Sequence, residues 1–262
     1  MKSICSILLF MLLMCAPACA EEARTGSITG RVMIKYGVPM ANGVIFIFND
    51  ATGPPPSSDK YWRVPDEIVK ADADGKFVAN LTGGSYYIGA IKRTSGDEVG
   101  PPQEGDLFLP FHGEGGVPKR HLVTSGATTD VGVITGGLPF KKSSIRTREG
   151  ITAIEGKVID SRGNPVQDAL VFAFLTPAMV GKPLFVSERT AKDGTYVIRV
   201  HPGGSYYLKV RNTYGGGALK AGEIMGSYGQ EKPVGVEVRT GAIVKGINIT
   251  GIRFPGRGPK TK

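Results

Sequence analysis

The sequence predicts an all-β chain built from two tandem β-sandwiches, and three observations predict it. Gly 38 and Pro 18 are high for 262 residues. Turn-forming residues punctuate the chain about every ten positions, as they do in sandwiches. Most telling, two long stretches repeat each other block by block.

The first block runs from Ile28 to Phe48 and lies without a gap over Ile154 to Phe174, at a constant offset of 126. Gly30, Val32, Gly37, Pro39, Val44, Phe46 and Phe48 fall on Gly156, Val158, Gly163, Pro165, Leu170, Phe172 and Phe174. A short strand meets a Gly-x-Pro turn, where Gly permits positive φ and Pro presets its own, and a second strand follows with Val44, Phe46 and Phe48 on one face. In the second block, Asp74-Gly75 and Asp193-Gly194 are hairpin signals. Next come Gly83 to Tyr87 and Gly203 to Tyr207, each leading into a strand. Thr195 to Val200 and Tyr206 to Arg211 alternate apolar and polar residues, the pattern of strands with one face on a core and one in water. Ile134-Thr135-Gly136 and Ile249-Thr250-Gly251 close the two copies.

The Gly-x-Val strand, the Gly-x-Pro turn, the Asp-Gly hairpin and the Gly84-Ser85-Tyr86 and Gly204-Ser205-Tyr206 signals resemble the carboxypeptidase regulatory-like domain family. The resemblance covers most of residues 25 to 135 and 151 to 251. It implies a transthyretin-like, seven-stranded Greek-key sandwich in each half, of the kind used as an accessory module in secreted bacterial proteins. Tyr86 and Tyr206 take the family's core position.

The ends and the charge complete the organisation. Residues 1–20 read as an export signal: Lys2, an apolar run from Ile4 to Met14, and Ala18-Cys19-Ala20 as the cleavage site. That run is shorter than the roughly 20 residues needed to span a bilayer. All three cysteines, Cys5, Cys15 and Cys19, fall inside residues 1–20, so disulfides have no structural role, and Cys19 is the candidate lipidation site. The expected divisions are a first sandwich over 24–136, a basic linker over 137–150, a second sandwich over 151–251 and a basic tail over 252–262. The formal charge of +9 then concentrates in the linker and tail, and the two sandwiches themselves are expected to be nearly neutral.

Catalytic signatures are missing. The three histidines, His112, His121 and His201, include no His-x-x-Glu pair, so the zinc site of a carboxypeptidase is not expected, and neither is any other cofactor. Serine elbows, phosphate loops and haem-attachment motifs are also absent. Asp72-Ala73-Asp74-Gly75 begins like a calcium loop but lacks the Glu needed further on, and reads as a hairpin turn. Lys157 and Asn248 could form the isopeptide link known in related adhesin sandwiches, although the strand Leu208 to Arg211 lacks the acidic helper.

Binding candidates are aromatic. Tyr61 and Trp62, after Gly53-Pro54-Pro55-Pro56, could stack on a sugar ring, with a loop folded onto its own aromatics as the competing reading. Tyr87 and Tyr207, by alternation after the core tyrosines, are expected to face outward. The long loops over 94–122 and 212–235 bring Phe108, Phe111, His112 and His121, and Tyr214, Met225 and Tyr228, as a binding edge or as covering loops. The expected function is a non-catalytic extracytoplasmic module that docks a protein or glycan at the cell envelope through loops at the sandwich ends. The alternative is a carbohydrate-binding protein with a starch-binding-like fold. Nucleic acid is not an expected partner.

Overall fold

The computed structural model describes residues 25–34, 37–94, 100–109, 111, 116–145, 150–214 and 218–256. The export segment with Cys19, His112 and the tail from 257 onward lie outside the described residues.

The first half forms β1 (Thr25–Val32), β2 (Val44–Asn49), β3 (Trp62–Arg63), β4 (Glu67–Lys70), β5 (Lys76–Thr82), β6 (Gly84–Lys92), β7 (Leu107–Leu109), β8 (Arg120–Val123), β9 (Thr128–Ile134) and β10 (Leu138–Pro139). The second forms β11 (Ala153–Ile159), β12 (Leu170–Phe174), β13 (Phe185–Val186), β14 (Thr195–Arg199), β15 (Gly204–Arg211), β16 (Ile224–Ser227), β17 (Gly235–Val238), β18 (Ile243–Val244), β19 (Ile249–Thr250) and β20 (Ile252–Arg253). The fold class is all-β, as expected. Among the described residues no helix is long and apolar enough to cross a membrane.

Each half pairs a small sheet with a large one. In the first, β5-β1-β9 faces β10-β7-β6-β2-β4, with β8 also on β6; in the second, β14-β11-β18, with β19 also on β11, faces β20-β16-β15-β12-β13, with β17 also on β15. The pairing order therefore recurs. Parallel pairing of β1 with β9 and of β11 with β18 and β19 brings chain ends of each half into one sheet. That close approach explains the glycine of the Gly-x-Val strand: a Cβ at Gly156 would stand 1.8 Å from the Ile247 carbonyl oxygen. Gly75 and Gly194, at φ +77° and +76°, supply the left-handed residue of their hairpins.

Three features depart from the expectation. First, the long loops are not only loops: β7 and β16 extend the large sheets, and each is joined in turn by β10 or β20. Each sandwich thus exceeds seven strands. Second, the basic segment over 137–150 is more than a linker, because β10 lies within it and Phe140 and Ile145 are buried. Third, β3 leaves the first sandwich and pairs with β13, Trp62 opposite Val186 and Arg63 opposite Phe185, as the outermost strand of the second sandwich's large sheet.

Packing accounts for that exchange. One core lies inside the first sandwich around Ile28, Ile45, Ile47, Phe77, Tyr86 and Ile88, and another inside the second around Ile154, Val171, Phe185, Ile198, Tyr206 and Leu208. A third apolar layer lies between the sandwiches: Val44, Phe46, Phe48, Tyr87 and Ile91 from one side meet Leu170, Phe172, Phe174 and Val186 from the other. β2 and β12 are consequently buried on both faces. Removing an aromatic ring from this layer would cost about 3–5 kcal/mol.

Because the third layer belongs to both halves, calorimetry of residues 25–256 is expected to show one unfolding transition, and Phe172→Ala is expected to lower it without splitting it. Two separate transitions in the unaltered protein would contradict a shared core.

Candidate functional site

The connection between β2 and β4 organises the seam between the sandwiches. Asn49 caps a single 3-10 turn over Asp50–Thr52, its side chain accepting the Ala51 N–H. From there the chain passes through the proline run and returns as Tyr61-Trp62-Arg63. The Arg63 side chain is fully buried and acts as the clasp of this loop. It donates to the carbonyls of Asn49 (2.5 Å), Pro54 (2.7 Å) and Gly53 (3.3 Å), to Thr52 Oγ1 (2.6 Å) and to Asp66 Oδ2 (3.0 Å). Its guanidinium lies 5.4 Å from the Phe48 ring centroid. Burial lowers the Arg63 pKa, opposed by the carboxylate of Asp66. A planar fork with five donors suits this role; a lysine could not reproduce it.

Five of the seven aromatic candidates are buried, Trp62, Tyr87, Phe108 and Phe111 in the seam and Tyr61 beyond it. Tyr61 is 6% exposed and enters the second sandwich's core. It makes an edge contact with Phe185 at 5.4 Å, stacks on His201 at 5.5 Å, and donates its hydroxyl to the Pro55 carbonyl. Burial pushes its pKa up to about 12. Trp62, 8% exposed, packs in the shared layer against Phe140 at 5.5 Å. Phe108 and Phe111 pair with each other at 5.5 Å, and Phe111 meets Phe48 at 5.1 Å. Phe111 also covers Gly89, where a Cβ would stand 2.1 Å from the ring.

Tyr87 corrects the expectation that it faces outward. It does point away from its own sandwich's core, as alternation requires, but the second sandwich covers that face and leaves the residue 1% exposed. Its hydroxyl donates to Asp50 Oδ1 (2.7 Å) and accepts from Arg120 Nε (2.9 Å). Burial raises its pKa, helped by Asp50. The exposed rings envisaged for Tyr61, Trp62, Phe108 and Phe111 are likewise absent, since Tyr61 packs in the second core and the other three in the seam. Tyr207 is half-buried at the edge of the seam, and Tyr228 is half-buried against the second core.

Each long hairpin is held by an arginine and a carboxylate that sequence reading did not single out. In the first sandwich, Arg93 and Asp106 are both buried, 2.8 Å apart, and Asp106 also accepts from the N–H groups of Thr94 and Gln103. Burial would raise the Asp106 carboxyl, but these donors together outweigh it and hold it below the usual carboxylate range. In the second, Arg211 and Glu223 are 2.8 Å apart. Glu223 is also held low, first by the Lys220 N–H and then by Arg211.

Beside the seam the apolar layer opens into a groove of about 760 Å³. Phe172, Phe174 and Met179 line its apolar side, with Ile68 and Glu67 of β4 and Lys209 and Arg211 of β15 around it. Val180, 76% exposed, stands at its rim. Two other sequence candidates have ordinary uses. Asp72 accepts the N–H groups of Asp74 and Lys76 within its hairpin. Asn248 Oδ1 accepts the Lys157 main-chain N–H, while the Lys157 ammonium points to Asp193 at 3.8 Å, so the atoms of an isopeptide link are engaged elsewhere.

No protein-family model and no curated protein matches the sequence. Among solved structures, the chain is similar to the TIE protein of Bacillus anthracis at 15% identity and TM-score 0.27, covering 88% of this chain and 34% of that one. It is similar to a streptococcal ancillary pilin at 13% identity and TM-score 0.25, covering 89% and 64%, and to the major pilin subunit BcpA of Bacillus cereus at 12% identity and TM-score 0.27, covering 88% and 100%. The chain therefore spans about a third of the first and just under two thirds of the second. At such scores the architecture stands on its own strand pairing.

Trp62→Ala is expected to destabilise the fold by about 3–5 kcal/mol, and the fluorescence of Trp62, the single tryptophan, is expected to be blue-shifted in the folded state and to move red on denaturation. A solvent-like emission in buffer would show the indole exposed. Asp106→Asn strands a buried guanidinium and is expected to cost about 3 kcal/mol at neutral pH. Because the folded-state pKa of Asp106 lies below its unfolded value, its contribution is complete above the ordinary aspartate range and is lost as pH falls through the depressed value. Denaturant titrations should therefore show the gap between protein and variant closing in acid.

Proposed function

We propose that the chain is a non-catalytic extracytoplasmic module that docks a protein or glycan at the cell envelope. The observation that carries this reading is the use made of buried polar groups. Arg63, Arg93, Asp106, Thr152, Ser187, Thr190 and Glu223 are buried polar side chains, and each is bonded within the fold. Ser187 Oγ donates to the Glu188 carbonyl and accepts the Val171 N–H. Thr190 Oγ1 donates to the Val166 carbonyl and accepts the Ala169 N–H, and Thr152 Oγ1 accepts the Gly241 N–H. A catalytic site needs a nucleophile or base held toward a substrate, and these groups are held toward main-chain atoms and one another instead.

The finer reading follows the repeat: two modules of the carboxypeptidase regulatory-like type over 24–136 and 151–251, exported by residues 1–20. What supports it is the recurring strand order. Burial of Tyr61 and Trp62 moves a glycan-binding surface away from them and toward the groove and the loops at the sandwich ends, where Tyr207 and Tyr228 retain partial exposure.

Purified protein offered to a panel of cell-wall glycans and envelope proteins is expected to give saturable binding with no turnover. Product formation that scales with protein concentration and survives repurification would overturn the non-catalytic reading. Binding abolished by Tyr207→Ala or Val180→Ser, with melting temperature unchanged, would place the contact on the exposed seam edge.

A further inference from the structure

Charge is divided between the halves more sharply than its total suggests. Residues 21–140 hold eleven Lys and Arg against fourteen Asp and Glu, net −3, whereas residues 151–250 hold twelve against eight, net +4. The near-neutrality expected of the two sandwiches is the cancellation of these values. Residues 251–262 add Arg253, Arg257, Lys260 and Lys262 without an acid. Positive charge therefore gathers on the second sandwich and along the segment that leaves it.

A polar cleft of about 810 Å³ lies where that segment departs, lined by Arg162, Arg189 and Arg253 together with Asp160, Asp168 and Asn212. Two of the guanidinium groups are fixed on main-chain carbonyls. Arg189 Nη1 donates to Asp168 (2.8 Å) and Asn212 (3.2 Å), and Arg253 Nη1 donates to Gly222 (3.2 Å). The Asp160 carboxylate is folded into its own turn, accepting from the N–H groups of Arg162 and Asn164 and from Asn164 Nδ2. Arg162 itself is exposed.

We infer that this cleft binds an anionic polysaccharide. The inference deepens the docking reading by naming a ligand class, and it rests on that reading for the setting in which such a polymer is met. Guanidinium forks match carboxylate or sulfate groups on a sugar. The Asp168 carboxylate in the lining supplies an acceptor for sugar hydroxyls, which a purely phosphate-binding site does not need. No aromatic ring lines the cleft, so the stacking platform of a single-stranded nucleic-acid site is missing. The positive tail sequence beyond Arg253 adds long-range attraction that salt weakens.

The test titrates the full mature chain with oligogalacturonate and with dextran sulfate, taking neutral dextran and duplex DNA as comparisons. Binding to the two acidic glycans is expected, weakening with salt, and Arg162→Ala with Arg253→Ala is expected to weaken it about tenfold, the loss of one or two charge-assisted hydrogen bonds, at unchanged melting temperature. Removing residues 257–262 is expected to weaken binding to every polyanion alike, and Val180→Ser in the separate groove is expected to leave it intact. Equal binding by the double arginine variant, loss only on tail removal, equal affinity for neutral dextran, or preference for DNA would each overturn the cleft assignment. If acidic glycans fail while another envelope component binds through the groove, the docking reading stands and this inference falls.

Discussion

The contact between the outer faces of the two large sheets governs the rest of the molecule. An isolated sandwich can leave its outer face in water by alternating polar residues there. Here that face carries Val44, Phe46 and Phe48 in one half and Leu170, Phe172 and Phe174 in the other. Exposing it would create a contiguous apolar patch larger than soluble surfaces normally tolerate. Joining the faces removes both patches together, and the burial of Tyr87, the packing of Phe140 and Ile145 and the path of β3 all follow from it.

Much of the architecture was legible in the chain. Ile28 to Phe48 matched against Ile154 to Phe174 gives the repeat, and the Asp-Gly and Gly-Ser-Tyr signals place the strands. The relation between the halves was also encoded, in a pattern easy to misread. Val44 to Phe48 and Leu170 to Phe174 are apolar at every position, and an uninterrupted run of that length marks a strand covered on both sides. Treating them as one-sided strands left Tyr87 facing water. By contrast, β3 has no local signature: two residues, Trp62 and Arg63, become a strand only because the β13 edge and the seam receive them.

The candidate site shows the same division. Aromatic content drew attention to Tyr61, Trp62, Phe108 and Phe111, yet composition cannot separate a ring kept for a ligand from one kept for packing. Arg63, Arg93 and Arg211 were invisible for a different reason. Arginine is usually a surface residue, and only the arrangement of loop carbonyls and carboxylates reveals that these hold turns and hairpins together. Charge gave a further lesson, since a sum over two domains hides a dipole that a count over each exposes.

The strand exchange also bears on how such a chain can change over evolutionary time. Tandem modules are ordinarily interchangeable: one can be lost, duplicated or moved to another gene without harm to its neighbour. Here the first half contributes Tyr61 to the second half's interior and Trp62 to its sheet edge. Once such a loan is made, excising the first half strips the second of part of its own core, and excising the second uncovers the shared layer. The repeat has thereby become one indivisible unit, free to vary in its loops but no longer in its number of parts.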